Sequence, residues 1–409
     1  MSPAIVLLAI IALAYLATHV AFDWLARRFH LVSGVEYLIL GILLGPSASN
    51  VLSAADLQSF SPLITLSVAW FGAAVGTRLV IRNLVAIPAL HYRLAFGEAL
   101  VTLLIVVLAE LLAIQLLFDL PVQVAFVPAL ALGAIAVSST TLGIDVVMKS
   151  FKRDAPILRL IEVGALVDAL VAILAIGVLL CIDRPSSFSG ARSFTPTEWV
   201  AITLGIGVVG GALFHLFVGT ERHSDRLFVA LAGTLILASG AAAYLELSPL
   251  MTAMIVGAML INTSQSHAEI ESVISQGERP FYFVMLIFAG ASWSPTAASW
   301  LPVALFLPAR ALGKVGGARL SARLAGVLPL VGRGWGWALF GQGGLALALA
   351  LDYRRHHSAS FPNLVFTAAA LSVLLTDVLS ARFARAVVAP VLDAVHPDQL
   401  AQAVEQEVP

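Results

Sequence analysis

Residues 134–144 read AIAVSSTTLGI and place four consecutive hydroxyl side chains inside an apolar segment. These hydroxyl residues are Ser138, Ser139, Thr140 and Thr141. Residues 341–349, GQGGLALAL, form a second interruption of the same kind. Its glycines and its amide are Gly341, Gln342, Gly343 and Gly344. Such residues can support unwound backbone where it lines a cavity, although small residues also allow close helix packing. As a pair, the two stretches predict two broken helices.

The composition around these stretches is that of a membrane protein. The 409 residues are 60% hydrophobic and 11% charged, with a mean hydropathy of +0.97. A soluble domain carries about 25% charged residues. Apolar windows of about 20 residues recur along the chain and predict about thirteen membrane helices. The predicted spans are 3–22, 33–51, 61–78, 94–118, 121–148, 156–182, 197–218, 227–245, 248–262, 280–293, 297–322, 334–352 and 361–381.

We therefore expect an all-α polytopic membrane protein. Residues 1–392 form its transmembrane domain, and 393–409 form a short, polar cytoplasmic tail. The net charge of −1 and the absence of a basic block argue against nucleic-acid binding. The single cysteine excludes an internal disulfide framework. The sequence contains no nucleophile–base or metal-binding constellation that would indicate an enzyme, and we expect no cofactor.

The distribution of Lys and Arg predicts the orientation. Most of these residues lie in the odd-numbered connections between predicted spans, whereas the even-numbered connections hold only Arg184, Arg192, Arg354 and Arg355. Positive residues are concentrated in cytoplasmic loops. We therefore expect the N-terminus outside and the C-terminus in the cytoplasm, in the inner (plasma) membrane of a bacterium.

A few charged residues fall inside the predicted spans. Asp168 lies near the middle of the sixth span and has no basic neighbour within one turn. A central aspartate costs about 2.5–3.5 kcal/mol on insertion scales, so its partner must be a substrate, a proton or a distant residue such as Lys314. Arg310 and Lys314 lie four residues apart on one face of the eleventh span. Glu98 is interpreted as reaching the membrane interface, and Glu162 as able to pair with Arg159.

Each predicted broken segment is adjacent in the chain to a helix with a charged residue inside its span. The helix with Asp168 comes directly after the first broken segment, and the helix with Lys314 comes directly before the second. Spans four to six and eleven to thirteen would then be corresponding triplets of an inverted repeat. Transporters of this kind bind their ions where paired broken helices meet near the bilayer midplane.

Several stretches resemble the cation:proton antiporter superfamily, in particular its Kef-type and sodium–proton exchanger branch. GVEYLILGILLGPSASNVLS is similar to its early glycine-rich helix, and ALALGAIAVSSTTLGIDVVMKS resembles its serine–threonine broken helix. ELSPLMTAMIVGAMLINTS, ARALGKVGGARL and GQGGLALAL complete the match in the family's order. The resemblance runs from about residue 31 to residue 384.

The resemblance implies a homodimer in which a core domain moves against a dimerisation scaffold and carries the ion by an elevator-like shift. The core would comprise residues of about 94–182 and 297–385. Asp168 would bind the monovalent cation, sodium or potassium, and the proton. Ser138, Ser139, Thr140 and Thr141 would line the site, with Lys314, Arg310 and Glu162 as supporting charges.

The chain departs from the family's pattern at two positions. Val167 stands where relatives usually place Asn, Asp or Gln, and Leu345 stands where Kef-type relatives often have Glu. Cation–proton exchange through Asp168, with a weak preference for one-for-one exchange, is the favoured function. A sodium-coupled symporter that binds an organic anion through Arg310 and Lys314 is one alternative. A non-transporting membrane sensor subunit is another, and the residues at 167 and 345 favour it.

Overall fold

The computed structural model describes residues 9, 35–140, 156–183, 194–218, 221, 223–264, 266–294, 300–328, 334–356 and 360–394. The helices are α1 (Val35–Leu44), α2 (Ala54–Ser59), α3 (Ser61–Thr77), α4 (Ile81–Val85), α5 (Ala89–Phe118), α6 (Val122–Val137), α7 (Pro156–Ile182), α8 (Pro196–Val218), α9 (Ser224–Tyr244), α10 (Pro249–Thr263), α11 (His267–Ala291), α12 (Trp300–Leu324), a 3₁₀ helix (Trp335–Leu339), α13 (Gly343–Arg355) and α14 (Pro362–Ala394). No strand occurs within these ranges. The expectation of an all-α fold is confirmed.

The helices match the predicted spans closely. Four of them, α5, α7, α8 and α9, are long and apolar enough to cross a membrane, and shorter apolar helices add to these. With the composition, they identify the chain as an integral membrane protein. The first predicted span, 3–22, lies outside the described residues apart from Ala9, and so does the tail from residue 395. The total of thirteen therefore stays a prediction.

Two groups of helices pack more extensively within themselves than against each other. In one group α3 lies along α10 and α1 lies along α11, with α8 and α9 packed beside them. In the other, α5 lies along α12, and α6, α7, the 3₁₀ helix, α13 and α14 surround that pair. The second group contains both interrupted segments and all the buried charges of the predicted site. We call the first group the scaffold helices and the second the core helices.

Glycines allow the closest helix pairs to form. A Cβ atom on Gly72 or Gly76 of α3 would lie 2.2 or 2.1 Å from a backbone oxygen of α10. A Cβ on Gly313 or Gly317 of α12 would lie 2.9 or 2.8 Å from backbone atoms of α5. Small residues at such contacts let helix backbones approach closely where the hydrophobic effect adds little. The contact between α5 and α12 positions the site, because each of these helices contributes a buried charge to it.

Candidate functional site

The two interrupted helices cross at their unwound segments. The first helix, α6, ends at Val137, and Ser138 has extended backbone with φ −55° and ψ 135°. In the second, the 3₁₀ helix ends at Leu339 and α13 begins at Gly343. The backbone N–H of Thr140 donates a hydrogen bond to the carbonyl of Gly341 at 2.9 Å. The predicted crossing of the two unwound segments is confirmed, and the part of the first segment after Thr140 lies outside the described residues.

Glycine is required on one side of this crossing. Gly343 has a φ of +62°, in the left-handed region that L residues with a side chain rarely adopt. A Cβ on Gly343 would lie 2.9 Å from Cβ of Thr140, and one on Gly341 would lie 3.0 Å from Cγ2 of Thr140. The glycines of GQGG therefore allow the two chains to pass in contact.

Arg310 joins the two interrupted helices. Its side chain is fully buried and donates to carbonyls on both sides of the crossing. Nε donates to Ala136 at 2.9 Å, Nη1 to Phe340 at 2.6 Å, and Nη2 to Ser138 at 3.1 Å. Carbonyls at helix C-termini lack partners within the helix and carry partial negative charge. The guanidinium therefore satisfies carbonyls of both helix ends at once.

Polar side chains complete the crossing with further hydrogen bonds. The hydroxyl of Ser139 donates to the carbonyl of Leu339 at 2.8 Å, which links the two segments again. The amide of Gln342 donates to the carbonyl of Ile135 at 2.9 Å and accepts from Ser372. Ser138 donates to Ile135 of its own helix at 2.7 Å. Thr141 lies outside the described residues.

A buried charge cluster lies beside the crossing. Nζ of Lys314 is 2.6 Å from Oδ2 of Asp168 and 3.2 Å from Oε1 of Glu98. The hydroxyl of Thr102 donates to Oε1 of Glu98 at 2.8 Å. All four residues are fully buried. The structure thus brings together Asp168 and Lys314, as predicted, and adds a second carboxylate that the sequence did not reveal. We call Asp168, Lys314 and Glu98 the charge triad.

One oxygen of the triad has no hydrogen-bond partner among the described residues. Oδ1 of Asp168 is buried and accepts no hydrogen bond from them, whereas Oδ2 accepts from Lys314. A buried carboxylate oxygen without a partner is costly, so such an atom is a candidate ligand for a cation or a proton. Asp168 therefore has an oxygen without a hydrogen-bond donor among the described residues, in a fully desolvated cluster where its carboxyl group also lies beside that of Glu98.

Interpreting Glu98 as an interfacial residue was wrong. The predicted span began at residue 94 and placed Glu98 near a membrane boundary. The helix instead begins at Ala89, and Glu98 is fully buried nine residues further along it. Two features of the sequence could have indicated that Glu98 is buried. Thr102 lies four residues after it on the same helix, and Arg310 and Lys314 of α12 had no assigned acidic partner. Glu162 is exposed on α7, and the structure does not bring it into the buried cluster.

The two departures from the family pattern have different surroundings. Val167 is buried in an apolar cluster with Ala95 and Ala99 of α5 and Val137 of α6. It therefore supplies apolar packing rather than a polar group beside Asp168. Leu345 lies in the wall of a cavity between the core and scaffold helices.

That cavity has a volume of about 420 Å³ and reaches the crossing. Ser139, Thr140 and Gln342 line it on the core side. Ala165 and Ala169, which flank Asp168 on α7, also line it, whereas Asp168 itself does not. Charged residues of the predicted cytoplasmic side line its scaffold wall, namely Arg78, Glu278 and Arg279. The cavity thus extends from these charged residues to the crossing and to residues of α7 close to Asp168 in the chain.

Solved structures share this fold. The chain is similar to the sodium proton antiporter MjNhaP1 from Methanocaldococcus jannaschii at pH 8, with 14% identity over 96% of this chain and 100% of that one, and a TM-score of 0.69. An electron-microscopy structure of the same antiporter gives 17% identity, 97% and 100% coverage, and a TM-score of 0.69. No family model and no curated protein matches the chain. The chain therefore has the fold of a sodium–proton antiporter, as its sequence predicted.

Proposed function

We propose that this protein exchanges a monovalent cation, sodium or potassium, for protons across the membrane, with Asp168 as the shared binding site. One observation carries the proposal: beside the crossing lies a desolvated aspartate, one of whose oxygens has no hydrogen-bond donor among the described residues. The fold supports it, since the similar solved structures are of a sodium proton antiporter. Helix ends and exposed carbonyls at such a crossing provide partial charges that favour ion binding near the midplane.

The mechanism follows from competition for one carboxylate. Ionised Asp168 binds a dehydrated cation through Oδ1, with help from hydroxyls and carbonyls of the crossing. Protonated Asp168 does not bind it. A buried site that carries net charge is expensive to move through an apolar barrier, so the loaded or protonated forms cross preferentially. The core helices would carry the site against the scaffold in an elevator-like shift, within a homodimer whose C-termini face the cytoplasm.

The surroundings of Arg310 argue against the alternative of an organic-anion symporter. That alternative needed Arg310 as a ligand for a substrate carboxylate. The guanidinium instead donates to Ala136, Phe340 and Ser138 at the crossing, where it holds two helix ends. Lys314 is likewise engaged by two carboxylates.

The exchange proposal is tested with everted membrane vesicles and a pH-sensitive dye. Addition of sodium, potassium or lithium should dissipate a preformed pH gradient in vesicles with the wild-type protein. Asp168→Asn should abolish this response, because the amide neither ionises nor binds a proton. Absence of any cation-dependent proton movement in the wild type would favour the sensor-subunit alternative. Full activity of Asp168→Asn would refute the proposed site.

A further inference from the structure

We propose that Glu98 is the second carboxylate of the transport site and holds the Lys314 ammonium whenever Asp168 binds a cation. This inference rests on the proposed exchange function. Lys314 lies between the two acids, 2.6 Å from one and 3.2 Å from the other. Thr102 fixes Glu98 through a hydrogen bond of 2.8 Å. Glu98 would therefore supply the acidic group that Val167 does not.

Charge counting shows why a second carboxylate matters. With Asp168 and Lys314 alone, both ionised, the buried pair is neutral, and a cation must displace the ammonium to bind. With Glu98 also ionised, the triad carries one net negative charge. One cation or one proton then makes it neutral. Buried net charge is strongly disfavoured, so the triad has a built-in requirement for a single positive charge.

The geometry allows Lys314 to change partners without backbone movement. Nζ is already within 3.4 Å of both oxygens of Glu98. When a cation approaches Asp168, the ammonium can move fully to Glu98 and keep its proton. The loaded site then contains two neutral pairs, Asp168 with the cation and Glu98 with Lys314. In the other form, a proton replaces the cation on Asp168. The exchange is one cation for one proton.

The other charged groups that the structure describes on α5, α6, α7 and α12 do not contact the ammonium of Lys314. On α12, Arg310 is bound to carbonyls of the crossing, and Arg319 and Arg323 are exposed. On α7, Arg159 and Glu162 are exposed. Helix α6 has no charged residue. On α5, Arg93 is exposed, and Glu110 is buried without a hydrogen-bond partner among the described residues. Of the buried acids that the structure describes on α5 and α7, only Glu98 and Asp168 contact Lys314.

The inference is tested by sodium-dependent proton flux in proteoliposomes of the purified full chain at one fixed pH. Glu98→Gln should raise the apparent KM for sodium about tenfold or more, because sodium must then compete with the ammonium for Asp168. Glu110→Gln, which removes another buried glutamate of the same helix, is the matched control and should change KM by less than about twofold. A Glu98→Gln variant with the wild-type KM would overturn the inference.

A double variant separates a charge effect from a structural one. Glu98→Gln with Lys314→Gln leaves Asp168 as the one charge of the cluster and restores one net negative charge. Its KM for sodium should return to within about threefold of the wild type. A KM equal to or above that of Glu98→Gln would mean that Glu98 only supports the fold, and would overturn the inference. Should Glu98→Gln not fold, the double variant alone decides: near-wild-type KM supports the role and loss of sodium-dependent flux refutes it.

The two proposals fail in different ways. A wild-type protein without cation–proton exchange refutes the proposed function. Normal wild-type exchange with no change of KM in Glu98→Gln refutes only the role of Glu98. Glu98→Asp provides a further check, because it keeps the negative charge with a shorter side chain. Its KM should lie below that of Glu98→Gln, and equal values would contradict the proposal.

Discussion

Arg310 and Lys314 lie four residues apart on α12, yet their side chains serve different groups. The planar guanidinium of Arg310 donates to four backbone carbonyls in the crossing. The ammonium of Lys314 contacts the carboxylates of Asp168 and Glu98. The fork of an Arg side chain suits several fixed acceptors, whereas Lys is a compact charge on a flexible stem. We therefore interpret Arg310 as structural and Lys314 as part of the ion site.

Arg310→Lys should destabilise the protein, although it keeps the charge. An ammonium cannot reach all four carbonyls, and each buried carbonyl left without a donor costs about 1–3 kcal/mol. We expect a clearly lower thermal midpoint for the detergent-solubilised protein. Arg323→Lys, at an exposed position of the same helix, is the control and should match the wild type. Equal midpoints for Arg310→Lys and Arg323→Lys would contradict this role.

At the residue scale, the sequence predicted Asp168 and its distant partner but not the complete cluster. Asp168 had no local cation, so its partner had to be a substrate, a proton or a distant residue such as Lys314. Glu98 was missed because apolar windows locate helix ends only to within a few residues. An error of five residues at the start of α5 was enough to move Glu98 from the buried interior to the membrane boundary.

At the level of the helices, the crossing depends on backbone freedom as well as on hydrogen bonding. Gly343 has positive φ and faces Thr140 of the other broken helix. Arg310 and Ser139 then connect segments that are already in contact. The glycine cluster and the run of hydroxyls were visible in the sequence because both are unusual at membrane depth. Their mutual contact could not be read from the sequence, since some 200 residues separate them.

Gly343→Ala should disrupt the crossing. Left-handed backbone costs a non-glycine residue about 1–2 kcal/mol, and the added Cβ would also lie 2.9 Å from Cβ of Thr140. We expect a large loss of cation-dependent proton flux and a lower thermal midpoint. Gly316→Ala is the matched control, because nothing lies within 4 Å of its Cβ position on α12. Wild-type flux in Gly343→Ala would show that the crossing tolerates a side chain.

Besides α5, two helices extend well beyond their predicted spans. The predicted tenth span began at Pro280, but α11 begins at His267 and continues through that proline. Its first part buries Ile270, Val273 and Ile274 against the scaffold helices, so packing outweighs the local signal. The last span was predicted to end at residue 381, whereas α14 extends to Ala394. The charges of Arg382 and Arg385 ended the predicted apolar window. They do not end the helix, because Arg is a good helix former.

At the scale of the whole molecule, the arrangement suits a moving core. The core and scaffold helices contact each other less extensively than each contacts its own group. A cavity of about 420 Å³ lies between the two groups and reaches the crossing. The interruptions, the glycine-rich contact of α5 with α12 and the charge triad all belong to the core. A core that moved as a unit would therefore carry the complete site with it.

Competition between proton and cation for Asp168 is measured most directly in proteoliposomes, by determining the apparent KM for sodium as a function of pH. If both ligands use this carboxylate, KM should rise by up to about tenfold for each unit of falling pH on the acid side of the profile, while the maximal rate at saturating sodium is preserved. A KM that does not vary with pH, with a maximal rate that does, would contradict a shared site at Asp168.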